Sequence, residues 1–455
     1  MKKPILAGLA RTIITPRQNV QMGGFARSQV STGVHDDLVV CGLYLEDGRG
    51  RRALLLDFSL VCLSRDLVAR MRRGLHEGIG IPEEAIVFTC THTHAGPGIV
   101  IDGYTVPSPG DYPSFLIGQT VACGTAAWRR RAPARVGFGR TEVFELGRNR
   151  RALLYGGLHP DPEVLIMKIE DAGGRLKGVA YNYGCHPSTL DWKNTLISGD
   201  WPYYSDTAIR KGAGRQVWTA YLQGAEGDIN TGYSSELSAV GVDMAIRDYW
   251  YIEKKGRQMA DAVLQALPGI KTSADIEIGI DLGFFDYPLR EEFPVTVRRA
   301  AAEAAAAKKK LAALEADPAL RGTRIVDGAR REVFSTGQRL AAAKSFYASR
   351  GGARTVSIEH QALRVGKAVF STLPGEVFSE IGLHIKHESP ARPTFLLGLA
   401  NGYGTTGYLP SAKEFAEGDY EVDGCMYSPK AEDACVAASL AMIRRVLPGG
   451  SNRKK

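Results

Sequence analysis

No apolar run in this 455-residue chain approaches the roughly 20 residues that span a bilayer, so no integral membrane segment is expected. The amino-terminal stretch from Met1 stops being apolar at Arg11, too early for the core of a secretory signal, and reads as the first strand of the fold. Seven cysteines (41, 62, 90, 123, 185, 425 and 435) include no C-x-x-C pair and are odd in number, which supports neither a disulfide framework nor a cysteine zinc site. Cys62, Cys90 and Cys123 sit in apolar surroundings and read as small core hydrophobes. Cys185, beside His186, reads as structural because neighbours on an extended segment face opposite ways. The expected compartment is therefore a reducing cytoplasm, or a secreted or periplasmic one if a signal peptide has been removed. The formal net charge of +8 comes from scattered clusters (Arg51-Arg52, Arg129 to Arg131, Lys308 to Lys310, Arg453 to Lys455) without interleaved aromatics. They match no nucleic-acid module and read as a solvated surface with weak attraction to anionic surfaces. There is no internal repeat and no low-complexity linker.

What is present alternates strand and helix signals. Val39 to Glu46 and Arg52 to Ser59 read as strands joined by a turn, and Ser64 as the N-cap of a helix. Ala85 to Cys90 is a buried strand, followed by a Pro/Gly/Tyr loop over 95 to 114. Further strands are expected over 163–169, 176–185, 215–223 and 357–373, with helices over 256–266 and 431–446. An alanine- and charge-rich helix from Val297, stopped at Pro318, and a second over 337–349 form a helical-hairpin insertion at about 295–350, expected to be a spacer or lid. The fold class is α/β: mixed β-sheets flanked by helices, one domain over 1–455 carrying that insertion.

Only nine histidines occur in the chain, and two of them fall in Phe88-Thr-Cys-Thr-His-Thr-His-Ala-Gly-Pro-Gly98. As i and i+2 residues of a strand, His92 and His94 would project to one place at a strand end, suiting a metal site or an acid/base pair. The bland alternative is two surface histidines beside a turn. His186 recurs in the same context, a buried strand ending in Cys185-His186-Pro187, and is either a capped core histidine or a ligand. Glu376 follows Leu373-Pro-Gly at the expected start of a helix, as a dipole partner or a hard ligand. Tyr403, Tyr408 and Tyr420 lie in a glycine-rich stretch, as packing aromatics, ligands or hydrogen-bond donors to an oxyanion. Tyr104, Tyr112, Trp201, Tyr203 and Tyr204 are candidates for the rim of a cleft.

Thr91-His-Thr-His-Ala-Gly-Pro-Gly, Asn149-Arg150, Asn182 to Pro187, Ser198-Gly-Asp, Gly227-Asp-Ile-Asn, Leu373-Pro-Gly-Glu and Asn401-Gly-Tyr through Tyr420-Glu421 follow one another in the order and approximate spacing of the neutral/alkaline, non-lysosomal ceramidase family. Nearly the whole chain resembles that family's catalytic domain. The resemblance implies one Zn2+ per chain, with His92, His186, Glu376 and Tyr408 as ligands. It implies His94 as the acid/base, Arg150 as the binder of the substrate carbonyl or oxyanion, and Tyr420 as a second active-site phenol. The resemblance implies Tyr408 over Tyr403, since Tyr408 and Tyr420 keep the twelve-residue separation expected of the family's zinc-ligand and substrate tyrosines. The family's carboxy-terminal β-sandwich domain is expected to be absent, and Arg150 is followed by Arg151-Ala where the family has Ser-Pro.

The expected activity is zinc-dependent hydrolysis of an amide, of a ceramide or N-acyl amine, through activated water. The partner is then a small-molecule or lipid amide. An amidohydrolase-type barrel acting on a small amide, lactone or ester also starts from His-x-His, but needs further strand-end histidines that 35, 76, 159, 360, 384 and 387 do not provide. A metallo-β-lactamase would need His-x-His-x-Asp-His, which does not occur. The non-catalytic rival is a zinc-stabilised homologue that binds lipid or glycan. His94 and Arg150 argue against it, because a structural site needs neither a free acid/base nor an open position.

Overall fold

The computed structural model describes residues 3–25, 30–98, 112–151, 157–232, 247–320, 323–349, 353–402 and 407–449. Leu6–Ile13 (β1) pairs antiparallel with Val39–Glu46 (β2), and β2 with Arg52–Phe58 (β3), as the turn between them demands. Ser64 caps Arg65–Ile79 (α1), its hydroxyl accepting from Leu67 N, and the chain returns as Ile86–Cys90 (β4), parallel to β3. After Tyr112–Arg129 (α2) come Ala132–Glu142 (β5), Glu163–Asp171 (β6) and Leu176–Tyr183 (β7), paired antiparallel. Asp200–Ala213 (α3) then leads to Trp218–Gln223 (β8), parallel to β7. The strand order is β8-β7-β6-β5-β1-β2-β3-β4.

Alternation along β2 sends Val40 and Tyr44 into a core shared with α1 and α2, and Val39, Cys41, Leu43 and Leu45 into a second core. The outer face of β6–β8 is covered by α3 and Tyr249–Ala266 (α4). The second core is closed by another sheet, Ile278–Pro288 (β9), Thr355–Val365 (β10), Ala368–Thr372 (β11) and Thr394–Leu397 (β12). Val297–Ala316 (α5) and Arg324–Ser349 (α6) form the hairpin between β9 and β10. Ser379–Glu388 (α7) and Ala431–Val446 (α8) cover the far face of the second sheet. The architecture is the expected one of mixed sheets flanked by helices. No helix among the described residues is long and apolar enough to cross a membrane, and all seven cysteines are free and buried.

Several elements differ from the sequence reading. The second hairpin helix begins at Arg324 rather than 337, and α4 at Tyr249 rather than 256. Neither α2 nor β5 was foreseen. The α2 segment has weak amphipathic periodicity, and packing decides its state. A Cβ on Gly8 of β1 would stand 1.9 Å from the Ala127 carbonyl oxygen, so glycine there allows helix and strand to touch.

The first sheet curls until its edges meet. Gln223, at the end of β8, donates from Nε2 to Thr91 O just past β4 at 3.0 Å. Asn182 on β7 donates from Nδ2 to Leu222 O and Leu396 O, tying β7, β8 and β12. Thr89 Oγ1 donates to Gly398 O, and Asn401 Oδ1 accepts from Phe88 N. The carboxyl ends of β4, β7, β8 and β12 thus converge.

One buried group gives this core a pH signature. His360 on β10 is 0% exposed, bonds Tyr287 through Nε2 at 2.7 Å, and is pushed down to about 4 by burial. A histidine whose folded value lies below its unfolded value of about 6.5 contributes stability above that value and loses it as pH falls toward 4, by up to about 3 kcal/mol. Urea unfolding at pH 7, 5.5 and 4 is expected to show this loss, and His360→Gln to remove that share of the slope. An identical slope in the variant would exonerate His360.

Candidate active site

Strand β4 ends at Cys90, so His92 and His94 are not strand residues as the i, i+2 argument supposed. Instead the backbone turns at His92, whose φ is +73°, a conformation uncommon for a residue with a Cβ and costly without local support. That support is present: Thr91 N donates to Phe58 O, His92 N to Leu60 O and His94 N to Pro187 O. The last bond joins the double-histidine turn to the His186-Pro187 turn. Ser198-Gly-Asp fastens both: Ser198 N donates to Ala95 O, Ser198 O accepts from Thr93 Oγ1, and Asp200 Oδ2 accepts from Thr189 N and Leu190 N. This motif is scaffold.

The three imidazoles meet. His92 and His94 Nε2 are 3.2 Å apart, and ring centroids lie 4.8 Å apart for His92–His186 and 5.8 Å for His94–His186. Glu376 joins them, its Oε2 standing 2.9 Å from His186 Nε2 and 3.3 Å from His92 Nε2. It sits in a two-residue strand, Glu376–Val377, paired parallel with Tyr408–Leu409, not in the first turn of a helix. Helix α7 starts only at Ser379, because the Glu376 and Phe378 amides are taken by Gly407 O and Leu409 O.

The far side of each ring fixes its proton. His92 Nδ1 lies 2.6 Å from Val61 O, and His186 Nδ1 lies 2.9 Å from both Glu226 O and Ile229 O. A ring nitrogen facing a carbonyl carries the hydrogen, leaving Nε2 to present a lone pair inward. Burial, then Arg150, push His186 down to about 4, so it is neutral near pH 7. Lone pairs of His186 and Glu376 therefore face each other at 2.9 Å, an arrangement that calls for a cation between them. Ligands on a tetrahedral zinc lie about 3.3 Å apart, close to the separations here. His92, His94 and His186 can hold a metal ion, and the donor set suits zinc.

Beside them is a wall of buried charge. Arg150 donates from Nε to Glu421 Oε1 at 3.1 Å and from an Nη to Gly227 O at 2.6 Å. Its guanidinium carbon lies 5.5 Å from the ring centres of both Tyr408 and Tyr420, which meet edge-on at 5.8 Å. Burial disfavours the cation, but Tyr420, Tyr408 and Glu421 more than compensate and hold Arg150 well above its ordinary value. Arg151, where the family resemblance has serine, donates to Glu421 and Glu414, both at 2.8 Å. The structure thus gathers all seven expected residues at one end of the sheets.

No protein-family model matches the chain. Over 247 residues, 48% of the chain, it is 23% identical to neutral ceramidase A of Dictyostelium discoideum, and the match spans 34% of that relative's length. The solved neutral ceramidase of Pseudomonas aeruginosa superposes with a TM-score of 0.74 at 18% identity, covering 97% of this chain and 74% of that one. A ceramidase complexed with C2 gives 0.71 at 17% identity, covering 97% and 75%. The chain has the neutral ceramidase fold.

Within this neutral ceramidase-like domain the foreseen aromatic rim is not intact. Trp201 is fully buried inside α3, and Tyr112 is buried in α2 with its hydroxyl on Ile14 O, while Tyr104 and Tyr403 lie outside the described residues. Sequence reasoning quoted Asp228 within Gly227-Asp-Ile-Asn without giving it a role; it accepts from Asn149 Nδ2, Ser379 N and Ser379 Oγ and so sets the Asn149-Arg150 turn. It missed Glu226, fully buried with neither carboxylate oxygen hydrogen-bonded. The acid in Gly-Ala-Glu-Gly-Asp after a strand was the available signal for both. Gly24 is a second omission. With φ +88°, it lies where a Cβ would be 2.4 Å from His94 Cγ. Gly24→Ala is expected to displace the His94 ring and cut turnover about 100-fold at roughly 1 kcal/mol of stability. Full activity in that variant would show that the ring position is not demanding.

Proposed function

We propose that this chain is a zinc-dependent hydrolase that cleaves the amide of a ceramide-like or other N-acyl amine substrate. The observation that carries the reading is the convergence of His92, His186 and Glu376 on one point, with His94 alongside and Arg150 near enough to act on His186 electrostatically. His92, His186 and Glu376 would hold the metal, joined by Tyr408, which is paired to Glu376 through the backbone. Zinc bound there would supply Lewis acidity, acidifying water toward pH 7 and polarising a carbonyl.

The chain's own groups do the rest. His94 takes the proton of the attacking water and returns it to the leaving amine, a role that needs a ring close to the metal ligands without being locked among them. Arg150 and Tyr420 donate to the oxygen on which negative charge develops, and the buried Glu421 keeps the guanidinium aimed. A second reading makes His94 a third nitrogen ligand, favoured by the 3.2 Å between its Nε2 and that of His92.

Ceramide itself is one member of the substrate class. Elemental analysis is expected to find about one zinc per chain. A hydrolysis screen of short-chain ceramide, long-chain ceramide, other N-acyl amines, and small lactones and cyclic amides is expected to show cleavage of linear amides. Preferential cleavage of lactones would replace the amidase reading, and a metal-free preparation with full activity would end the zinc one.

A further inference from the structure

At the end of the curled sheet opposite the histidines, β1 parts from β5. The two strands pair at Leu6–Pro133 and Ala7–Ala132 and no further, while Trp218 donates from its indole N–H to Ala10 O at 2.8 Å. The parting leaves a cleft of about 490 Å³. Its floor includes Ala10, Ala134 and Trp218, and five cations line it: Arg11, Arg130, Lys177, Arg210 and Arg215.

Those five come from β1, the end of α2, β7, α3 and the entry to β8, so the fold gathers them from across the sequence. None of the five forms an ion pair among the described residues. The two acids that share the lining are already engaged, Glu170 with Lys168 and Asp171 with Arg175, each at 2.8 Å. Within the Arg129 to Arg131 run, Arg131 pairs with Glu46, whereas Arg130 lines the cleft. Arg11 keeps its Nε buried without a hydrogen-bond partner. Scattered surface cations sit on convex ground in water, where repulsion is screened. Arg11 also acts on the buried Asp206, and with the four other cations around a concavity with an apolar floor it raises the local positive potential, which an anion relieves.

We propose that this cleft binds a multiply charged phosphate-type anion, with the arginines gripping its oxygens and any apolar part resting against Trp218. The phosphate could belong to a free phosphorylated compound or to a lipid headgroup, since the recognising chemistry is the same. The occupant is not the hydrolysed substrate. Trp218 and Gln223 stand at opposite ends of β8, roughly 17 Å apart for five strand steps, and it is Gln223 that touches the histidine turn.

Calorimetric titration with pyrophosphate and with inorganic phosphate tests the site directly. Pyrophosphate is expected to bind one per chain and more tightly than inorganic phosphate. Lys177→Ala/Arg215→Ala, both exposed and so harmless to folding, is expected to weaken it at least tenfold, with amide hydrolysis and melting unchanged. Arg11→Met is expected to weaken it further. Co-sedimentation with phosphatidylcholine vesicles, with and without phosphatidate, separates the sources. Phosphatidate-dependent sedimentation relieved by pyrophosphate would place a headgroup in the cleft, and pyrophosphate binding without sedimentation a free phosphate compound. Binding of neither probe, or pyrophosphate binding indifferent to the substitutions, would overturn the proposal.

Discussion

Alanine at position 94 is expected to leave the metal in place and lower turnover about 10²- to 10⁴-fold, the usual contribution of a positioned acid/base. Alanine at 92 is expected to lose metal and turnover together. The difference follows from geometry: His92 and His186 both lie within 3.3 Å of Glu376 Oε2 and are steered from behind by backbone carbonyls. Metal analysis and turnover measured on the same preparations decide between the roles. Loss of zinc from His94→Ala would make that imidazole a ligand and leave proton transfer to another group. A melting curve guards against misfolding as the cause, because His92, at φ +73°, sits in a conformation that alanine adopts no more readily.

Glu421→Ala is expected to have the largest effect on stability. The carboxylate is 0% exposed and receives Arg150 at 3.1 Å and Arg151 at 2.8 Å. Breaking a buried pair by removing one partner typically costs about 3–5 kcal/mol, because the remaining charge keeps its desolvation without the compensating attraction. Here two guanidiniums lose the same partner. Urea denaturation is expected to show this loss, and turnover to fall with Arg150 no longer held beside Tyr408 and Tyr420, while bound metal is retained. An unchanged midpoint would mean that Glu414 and Gly227 suffice to hold the arginines.

Much of this was legible in the chain. The β2–β3 hairpin, the Ser64 cap and the buried strand before His92 follow from local patterning, which tertiary packing here reinforces. The association of His92, His94 and His186 was readable because both segments show the same sequence of events, a buried strand broken by glycine or proline with histidine at the break. How they converge was not. The left-handed turn at His92 has no signature in a residue type that usually avoids it, and it depends on carbonyls at Phe58, Leu60 and Pro187 that only the assembled sheet supplies. Glu376 was placed on the wrong element for a similar reason. Its two-residue strand exists because residues 407–409 offer backbone partners from 31 positions further along, a pairing no local window contains. The helical state of α2 was hidden too, since Gly8 on a different strand permits it.

The bond from Gln223 to Thr91 closes the curled sheet with a side chain where a strand ladder would have needed backbone. Strands β4 and β8 are the two ends of the sheet's order, so no pair of neighbouring strands contains the histidines of both turns. Glu376 and Asn401 follow β11 and β12, later still along the chain. The imidazole cluster is thus built from residues 58–229, and the carboxylate that faces it arrives only with Glu376. The contacts that assemble the site join residues more than 90 positions apart in sequence, and such non-local pairing slows folding. A nascent chain released before residue 408 would lack the backbone partner that holds Glu376 beside the imidazoles.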